Sequence, residues 1–250
     1  MNIQVNRVEY ADVESLRELY RHEANCQIIH DSSIRRGLAD PYLILVNGRV
    51  GGYGGVWNKY EIGRLMEFHT LPHVRSSALP MVRELLAASK ATHMEAQTNM
   101  PLMLTMLYDC AKNIKEENIL YEDARVTELP NPGGVFRRST ANDEASIPPD
   151  RQEPFGDWVV EADGSIVATG GFLCHYNPPY GDVFMEVFEP ARRRGFGSYV
   201  VQEVKRACYE AGRRPAARCN PSNTASRRTL QKAGFLPCGR LLAGEVAGTA

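Results

Sequence analysis

At 250 residues, with 43% hydrophobic and 24% charged residues, the chain is long enough to bury a substantial core, as one large domain or two small ones. A net charge of −1 argues against a nucleic-acid partner, and no apolar run approaches the roughly 20 residues of a membrane helix. Met1 to Val5 lacks the charged-then-apolar order of a signal peptide, so a cytoplasmic protein without a membrane partner is expected.

In chain order, alternation from Ile3 to Val8 predicts a short strand, and Asp12 is expected to cap a helix through Leu16, Leu19 and Tyr20. Asn47-Gly48 predicts a tight hairpin between strands at Tyr42–Val46 and Gly51–Trp57. A strand at Arg64–Leu71, a helix at Ala78–Ser89, a strand at His93–Gln97 and a helix at Pro101–Ala111 follow. Tyr53, Trp57, Tyr60 and Phe68 sit at strand spacing, which suits core positions as well as a pocket wall.

After Asn131-Pro-Gly-Gly134, the polar stretch Ser139–Arg151 reads as linker or mobile loop. A hairpin about Asp163-Gly164 leads to a strand through Glu186, a helix from Gly197, a strand near Pro215 and a helix from Asn223 with Ser222 as expected N-cap. Strand, strand, helix, strand, helix thus occurs twice. We read two related halves, 1–135 and 157–250, joined by 136–156, with the second lacking an opening strand and helices of its own. Cys26, Cys110, Cys174, Cys208, Cys219 and Cys238 are scattered without metal-ligand spacing, and are read as reduced packing residues with no metal.

The chemistry concentrates where the strand Val183–Glu189 runs into Arg192-Arg-Arg-Gly-Phe-Gly-Ser198. Gly195 and Gly197 remove side chains that would keep a ligand off the backbone, and a helix opening there presents unpaired N–H groups to an anion. Arg192, Arg193 and Arg194 add full charges. From Pro190 to Arg240 only Glu203 and Glu210 are acidic, so this third of the chain is basic and suits a phosphorylated nucleotide. A second block follows, with Asn223, Ser226, Lys232, Gly234 and Phe235 in Asn-x-x-Ser…Lys-x-Gly-Phe order.

Over the last seventy residues these two blocks resemble the signatures of the GNAT superfamily of acetyl-CoA-dependent N-acetyltransferases. The resemblance implies an α/β (α+β) fold, a mixed, mostly antiparallel sheet flanked by helices, here in two related halves. The N-terminal half is degenerate, since Pro72–Ala78 stands in place of the glycine loop. It also implies acetyl-CoA as cosubstrate, with the Val187 backbone holding the pantetheine arm. The loop Arg192, Arg193, Arg194, Gly195, Phe196, Gly197 and Ser198 would hold the pyrophosphate, with Asn223 and Ser226 as further cofactor contacts.

Acyl transfer to an amine requires proximity, a proton acceptor and stabilisation of the oxyanion. Asp182, Glu186 and Glu189 are the candidate bases on the strand. Glu186 is preferred because flanking Met185 and Val187 should bury it in part, whereas Glu189 lies at the rim; pairing with Arg218 is the structural alternative. The family's usual tyrosine acid, four residues before Gly-Phe, is replaced by Leu230, which leaves Ser226, Tyr176 and Tyr180 as polar candidates. The expected function is transfer of acetyl to a primary amine of a small molecule or amino acid. The alternative is a non-catalytic acyl-CoA-binding or sensor protein.

Overall fold

The computed structural model describes residues 1–23, 30–147 and 151–248. The chain forms two compact units, Met1–Asn118 together with Gly239–Ala250, and Ile119–Cys238. The division therefore differs from the one read off the sequence: 119–135 lie with the second unit, and the last dozen residues with the first.

Unit 1 contains β1 (Ile3–Arg7), α1 (Tyr10–Glu23), α2 (Asp31–Arg35), β2 (Ala39–Val46), β3 (Arg49–Trp57), β4 (Arg64–Thr70), a 3-10 helix (Pro72–Ser77), α3 (Ala78–Ser89), β5 (His93–Gln97) and α4 (Pro101–Cys110). The expected hairpin forms, with Asn47 at φ 50° and Gly48 at φ 76°, the backbone that a tight two-residue turn demands. β1 to β4 pair antiparallel in order, β5 joins β4 in parallel, and Leu241–Glu245 of the closing strand pairs antiparallel with β5. Asp12 is not the cap of α1. It stands one turn in, and its carboxylate accepts the Glu9 N–H at 3.1 Å, so Glu9 holds the cap position.

β6 (Ala111–Asp123) runs from the first unit into the second, which continues as β7 (Val135–Arg138), α5 (Ala141–Ser146), β8 (Trp158–Ala162), β9 (Ser165–Leu173), β10 (Tyr180–Val187), α6 (Phe196–Glu210), β11 (Arg214–Cys219) and α7 (Thr224–Lys232), before β12 (Phe235–Val246). β7 to β10 pair antiparallel in order, β11 joins β10 in parallel, and Ile119–Glu122 of β6 pairs antiparallel with β11. The second half therefore has an opening strand and a short helix, contrary to the sequence reading, and part of the stretch read as linker is α5. Its first turn is a capping box: Thr140 N–H and hydroxyl both donate to Asp143, which also receives two Arg137 donors at 2.8 Å. Those bonds hold the Asp143 carboxyl well below its ordinary pKa, with the Arg137 guanidinium the leading cause.

Each unit has its own core. In unit 1, Val13, Tyr53, Leu65, Met81, Leu85 and Met94 are completely enclosed; in unit 2 the same holds for Val160, Val201, Val204, Ala217, Ala233 and Phe235. The two halves share a packing device. A Cβ on Gly54 of β3 would stand 2.3 Å from Leu85 of α3, and one on Gly170 of β9 would stand 2.6 Å from Val200 of α6. Glycine in the strand lets the helix lie close on the sheet in both halves.

Candidate active site

The site is built on the parallel pair of unit 2. β10 and β11 pair only at Tyr180↔Arg214, Gly181↔Pro215 and Asp182↔Ala216, although β10 continues to Val187 and β11 to Cys219. Beyond Asp182 neither strand completes the other's ladder on that side, and Phe184 to Val187 are only half-buried. Side chains alternate across β10. Val183, Met185 and Val187 face α6 and the hydrophobic core, while Asp182, Phe184 and Glu186 take the opposite face.

At the end of β10, Arg193 (φ 64°) and Gly195 (φ 96°) both adopt left-handed backbone, and Gly195 caps α6 with no side-chain hydrogen bond to the helix amides. Successive N–H groups in such a turn converge on an anion, and the first helical amides have no partner within the helix. A non-glycine residue held at positive φ costs about 1 kcal/mol, and such strain collects at ligand sites. Gly197 lies in the first turn of the helix. A Cβ there would sit 3.3 Å from Thr229, 3.4 Å from Val187 and 3.5 Å from Met185, so the missing side chain leaves a cradle between β10, α6 and α7.

The arginines are exposed. Arg194 stacks its guanidinium 5.3 Å from the Phe196 ring. Arg192 donates from Nε to the Val187 carbonyl at 2.9 Å and pairs with Glu189 at 3.2 Å. That carbonyl is the backbone acceptor which the family resemblance assigns to a pantetheine arm. Phe196 and Ser198 are buried, and the Ser198 hydroxyl donates to the Gly195 carbonyl at 3.1 Å, tightening the turn.

At the head of α7, Asn223 rather than Ser222 is the N-cap. Its Oδ1 accepts Ser226 N–H at 2.9 Å, while Ser222 donates to Asn220. The difference is one of position, because α7 begins at Thr224 and Ser222 stands one residue before the cap, its hydroxyl bonded to Asn220. The Ser226 side chain lies against the Cys219 thiol, whose pKa is pushed up by burial and eased down by Tyr121, Ser226 and Arg227. Tyr121, fully enclosed, thus joins this cluster from β6, a neighbourhood that nothing in its sequence spacing announces. Leu230, at the family's tyrosine position, is buried in the core.

The opposite face of β10 carries the titratable groups. Asp182 is 7% exposed, with His175 Nε2 at 3.5 Å and Arg218 Nε at 3.6 Å; Arg218 in turn lies 5.9 Å over the Tyr176 ring. Arg218 therefore pairs with Asp182. Glu186 Oε2 accepts two backbone N–H groups, from Gln152 and Glu153, each at 3.0 Å. Glu153 has its pKa raised, first by burial and then by the charges of Asp182 and Glu186, against the pull of Arg218. Glu189 is exposed, as expected for the rim. Tyr176 is fully buried and edge-on to His175 at 4.7 Å, and Tyr180 opens β10 beside Arg214. Glu153 and His175 escaped the sequence reading because one lies in a polar stretch and the other before a proline loop, where no periodicity marks a site.

Unit 1 repeats the architecture without the opening. β4 and β5 pair in parallel only at Arg64↔His93 and Leu65↔Met94, yet β4 is buried from Leu65 to Thr70. Glu67 is enclosed in a two-pronged pair with Arg17 at 2.9 and 3.0 Å, and Tyr53 donates to it at 2.9 Å. Tyr53, Trp57 and Phe68 are core residues, whereas Tyr60 is 80% exposed. The 3-10 helix replaces the glycine turn, and Leu79 packs on the core at the second position of its helix, where unit 2 has Gly197.

Among the described residues no cluster of His, Cys, Asp and Glu has a metal-holding arrangement, and no helix is long and apolar enough to cross a membrane. Cys110, Cys208 and Cys219 are buried thiols, with Cys208 pushed up to about 12 by burial; Cys174 is exposed rather than packed, and Cys26 lies outside the described residues.

Comparison with known proteins agrees with this architecture. Residues 176–238, which span β10, the loop, α6, β11 and α7, match the family model described as FR47-like protein. An acetyltransferase of the GNAT family from Colwellia psychrerythraea superposes with a TM-score of 0.75 at 14% identity, covering 99% of this chain and 100% of that one. A tandem GNAT protein from the clavulanic acid biosynthesis pathway gives 0.61 at 12% identity over the whole of both chains. A GCN5-related N-acetyltransferase from Sphaerobacter thermophilus gives 0.60 at 16%, covering 99% and 97%. No curated protein matches the chain. The protein has the GNAT fold, a mixed, largely antiparallel sheet flanked by helices, in the tandem form of two halves.

Proposed function

We propose that unit 2 transfers an acetyl group from acetyl-CoA to a primary amine of a small molecule or amino acid, by direct attack in a ternary complex. The observation that carries this reading is the first turn of α6, without a side-chain cap behind the left-handed Arg193 and Gly195, opening beside the edge of β10 that β11 leaves free beyond Asp182. The residues fit the donor. The amides of α6 and the arginines complement a pyrophosphate, the cradle at Gly197 leaves room where any side chain would intrude, and Val187 offers backbone to an extended arm.

The bound thioester supplies an already activated acyl group. The protein's share is to hold amine and carbonyl in contact, to accept a proton from the ammonium on the carboxylate face of β10, and to keep water from competing. Ser226 and the adjoining Cys219 are the polar groups at the head of α7 suited to contact the sulfur end.

Burial of Leu230 where the family's proton donor stands favours a second reading, an acyl-CoA-binding protein without turnover. Calorimetric titration with acetyl-CoA, followed by amine-dependent release of CoA over an amine panel, tests both. Binding with turnover supports the enzyme, binding without turnover supports the sensor, and absence of binding removes both.

A further inference from the structure

Residues 151–157, at the end of the stretch read from sequence as a linker, cross the face of β9 and β10 that is turned away from α6. We propose that this segment is a strap clasped over the acceptor side of the site by Glu186, and that its position decides which amines reach the thioester. Glu186 is then a positioning residue and not the base. The inference rests on the acetyl-transfer reading above and gives that site its acceptor wall.

Glu186 and Thr169 stand directly opposite each other in the ladder between β10 and β9, so their side chains project from the same face. Each accepts from the strap. Glu186 Oε2 takes the Gln152 and Glu153 N–H groups at 3.0 Å each, and Thr169 Oγ1 takes the Gly156 N–H at 2.9 Å. At Gly156 the strap lies flat on β9, since a Cβ there would stand 2.0 Å from the Gly170 carbonyl oxygen. Arg151 ties the start of the strap to Glu144 of α5 at 2.7 Å.

The two ends are held differently. Gly156 and Thr169 are buried, whereas Gln152 and Glu153 are exposed, so the outer end depends on its bonds to Glu186. Amides converging on a carboxylate make charge-assisted bonds, about twice as strong as neutral ones. A general base has to lie within hydrogen-bond reach of the substrate proton, and this carboxylate is turned to the strap instead.

An attacking amine must come within about 3–3.5 Å of the acyl carbon. With the strap over Glu186 and Thr169, the part of the face left to it lies nearer Asp182 and Phe184, beside the edge that β11 vacates. A slender, unbranched primary amine suits that approach; a bulky or aromatic one has to displace Gln152 and Glu153.

The test reads the clasp and the selectivity separately, on the full chain. Amide hydrogen exchange followed by NMR should show Gln152 and Glu153 protected about 10-fold or more over an unstructured chain, and within about threefold of it in Glu186→Ala. Glu186→Gln keeps an acceptor oxygen and should retain part of the protection. In the kinetic arm, Glu186→Ala should raise kcat/KM for benzylamine relative to ethylamine about 10-fold, chiefly through KM, with acetyl-CoA affinity by calorimetry kept. Glu186→Gln should stay near the parent's ratio. Gly156→Ala, which lifts the other end of the strap and leaves Glu186 in place, should move the ratio as Glu186→Ala does. A loss of kcat of about 100-fold in both Glu186 variants with both amines would make Glu186 the base and overturn the proposal. Exchange at the unstructured rate in the parent, or an unchanged ratio in Glu186→Ala and Gly156→Ala, overturns it as well. A parent that binds no acetyl-CoA, or binds it and acetylates no amine, refutes the transferase reading and the acceptor wall with it, while the exchange rates still decide whether Glu186 clasps the strap.

Discussion

Replacing Gly197 with aspartate separates a ligand seat from a structural turn. The new Cβ would meet only side-chain atoms, Thr229 Cγ2 at 3.3 Å, a slightly tight approach, with Val187 at 3.4 Å and Met185 at 3.5 Å in ordinary contact. Overpacking at such a half-open position belongs at the low end of the usual range, about 1 kcal/mol. A carboxylate in the first turn of α6 returns about 0.3–1 kcal/mol through the helix N-terminal field. The net cost to stability is therefore about 0–1 kcal/mol, or a fall in Tm of no more than about 4 °C for a chain of this size. Binding responds differently. The same carboxylate fills the cradle, competes for the α6 amides and repels a pyrophosphate. Hydrogen bonds to a charged group contribute about 1.5–3 kcal/mol, so loss of one or two weakens acetyl-CoA by about 10- to 1,000-fold or more. Calorimetric titration of parent and variant, with thermal melts alongside, measures both quantities. A variant that binds acetyl-CoA within about threefold of the parent would refute the assignment of the phosphate seat to this turn. One that melts more than about 10 °C lower would refute the claim that Gly197 is spared for a ligand and not for packing.

Other outcomes follow from groups away from the seat. Lys205 of α6 pairs with Asp123 at 2.6 Å while donating to the carbonyls of Ala233 and Arg125, all within unit 2. Lys205→Met leaves the buried Asp123 carboxylate, which also accepts the Tyr209 hydroxyl at 2.9 Å, without its cation and removes a donor from two carbonyls, and should cost about 3–5 kcal/mol in denaturant unfolding; a cost under about 1 kcal/mol would show the pair to be dispensable. Gly170→Ala puts a Cβ 2.6 Å from Val200, and should lower stability by about 1–3 kcal/mol as the helix is forced off the sheet. His69 of unit 1 is 2% exposed, and burial holds its pKa below the ordinary value of about 6.5, against the pull of Glu23. Its neutral form is the folded form, so its contribution is complete above pH about 6.5 and declines as pH falls from there towards the folded pKa. Unfolding free energies at neutral and mildly acidic pH should diverge less in His69→Gln than in the parent, and an unchanged difference would remove His69 from the account.

Local chemistry made much of this protein legible in its sequence. Asn47-Gly48 and Asp163-Gly164 specify hairpins because both residues of each turn need positive φ. The arginine and glycine run before an apolar helical stripe specifies an anion-seeking helix start. The order of elements exposed two related halves, and with the second signature block at α7 it pointed to the GNAT fold. Even the α5 cap was present as Thr140-x-x-Asp143, although the polarity around it favoured a loop reading. Other features depended on distance in space. Strand pairing alone decided that Leu241–Glu245 complete the first unit and Ile119–Glu122 the second, since a ladder is set by which edge a strand meets and not by its neighbours in the chain. The closing of the unit 1 counterpart depended on Arg17 reaching Glu67 fifty residues away, and the anchoring of Glu186 in unit 2 on the Gln152 and Glu153 amides arriving beside β10. A carboxylate's proton affinity is set by the charges and the solvent around it, and for Glu153 those come from residues about thirty and sixty-five positions further along the chain, which only folding brings alongside.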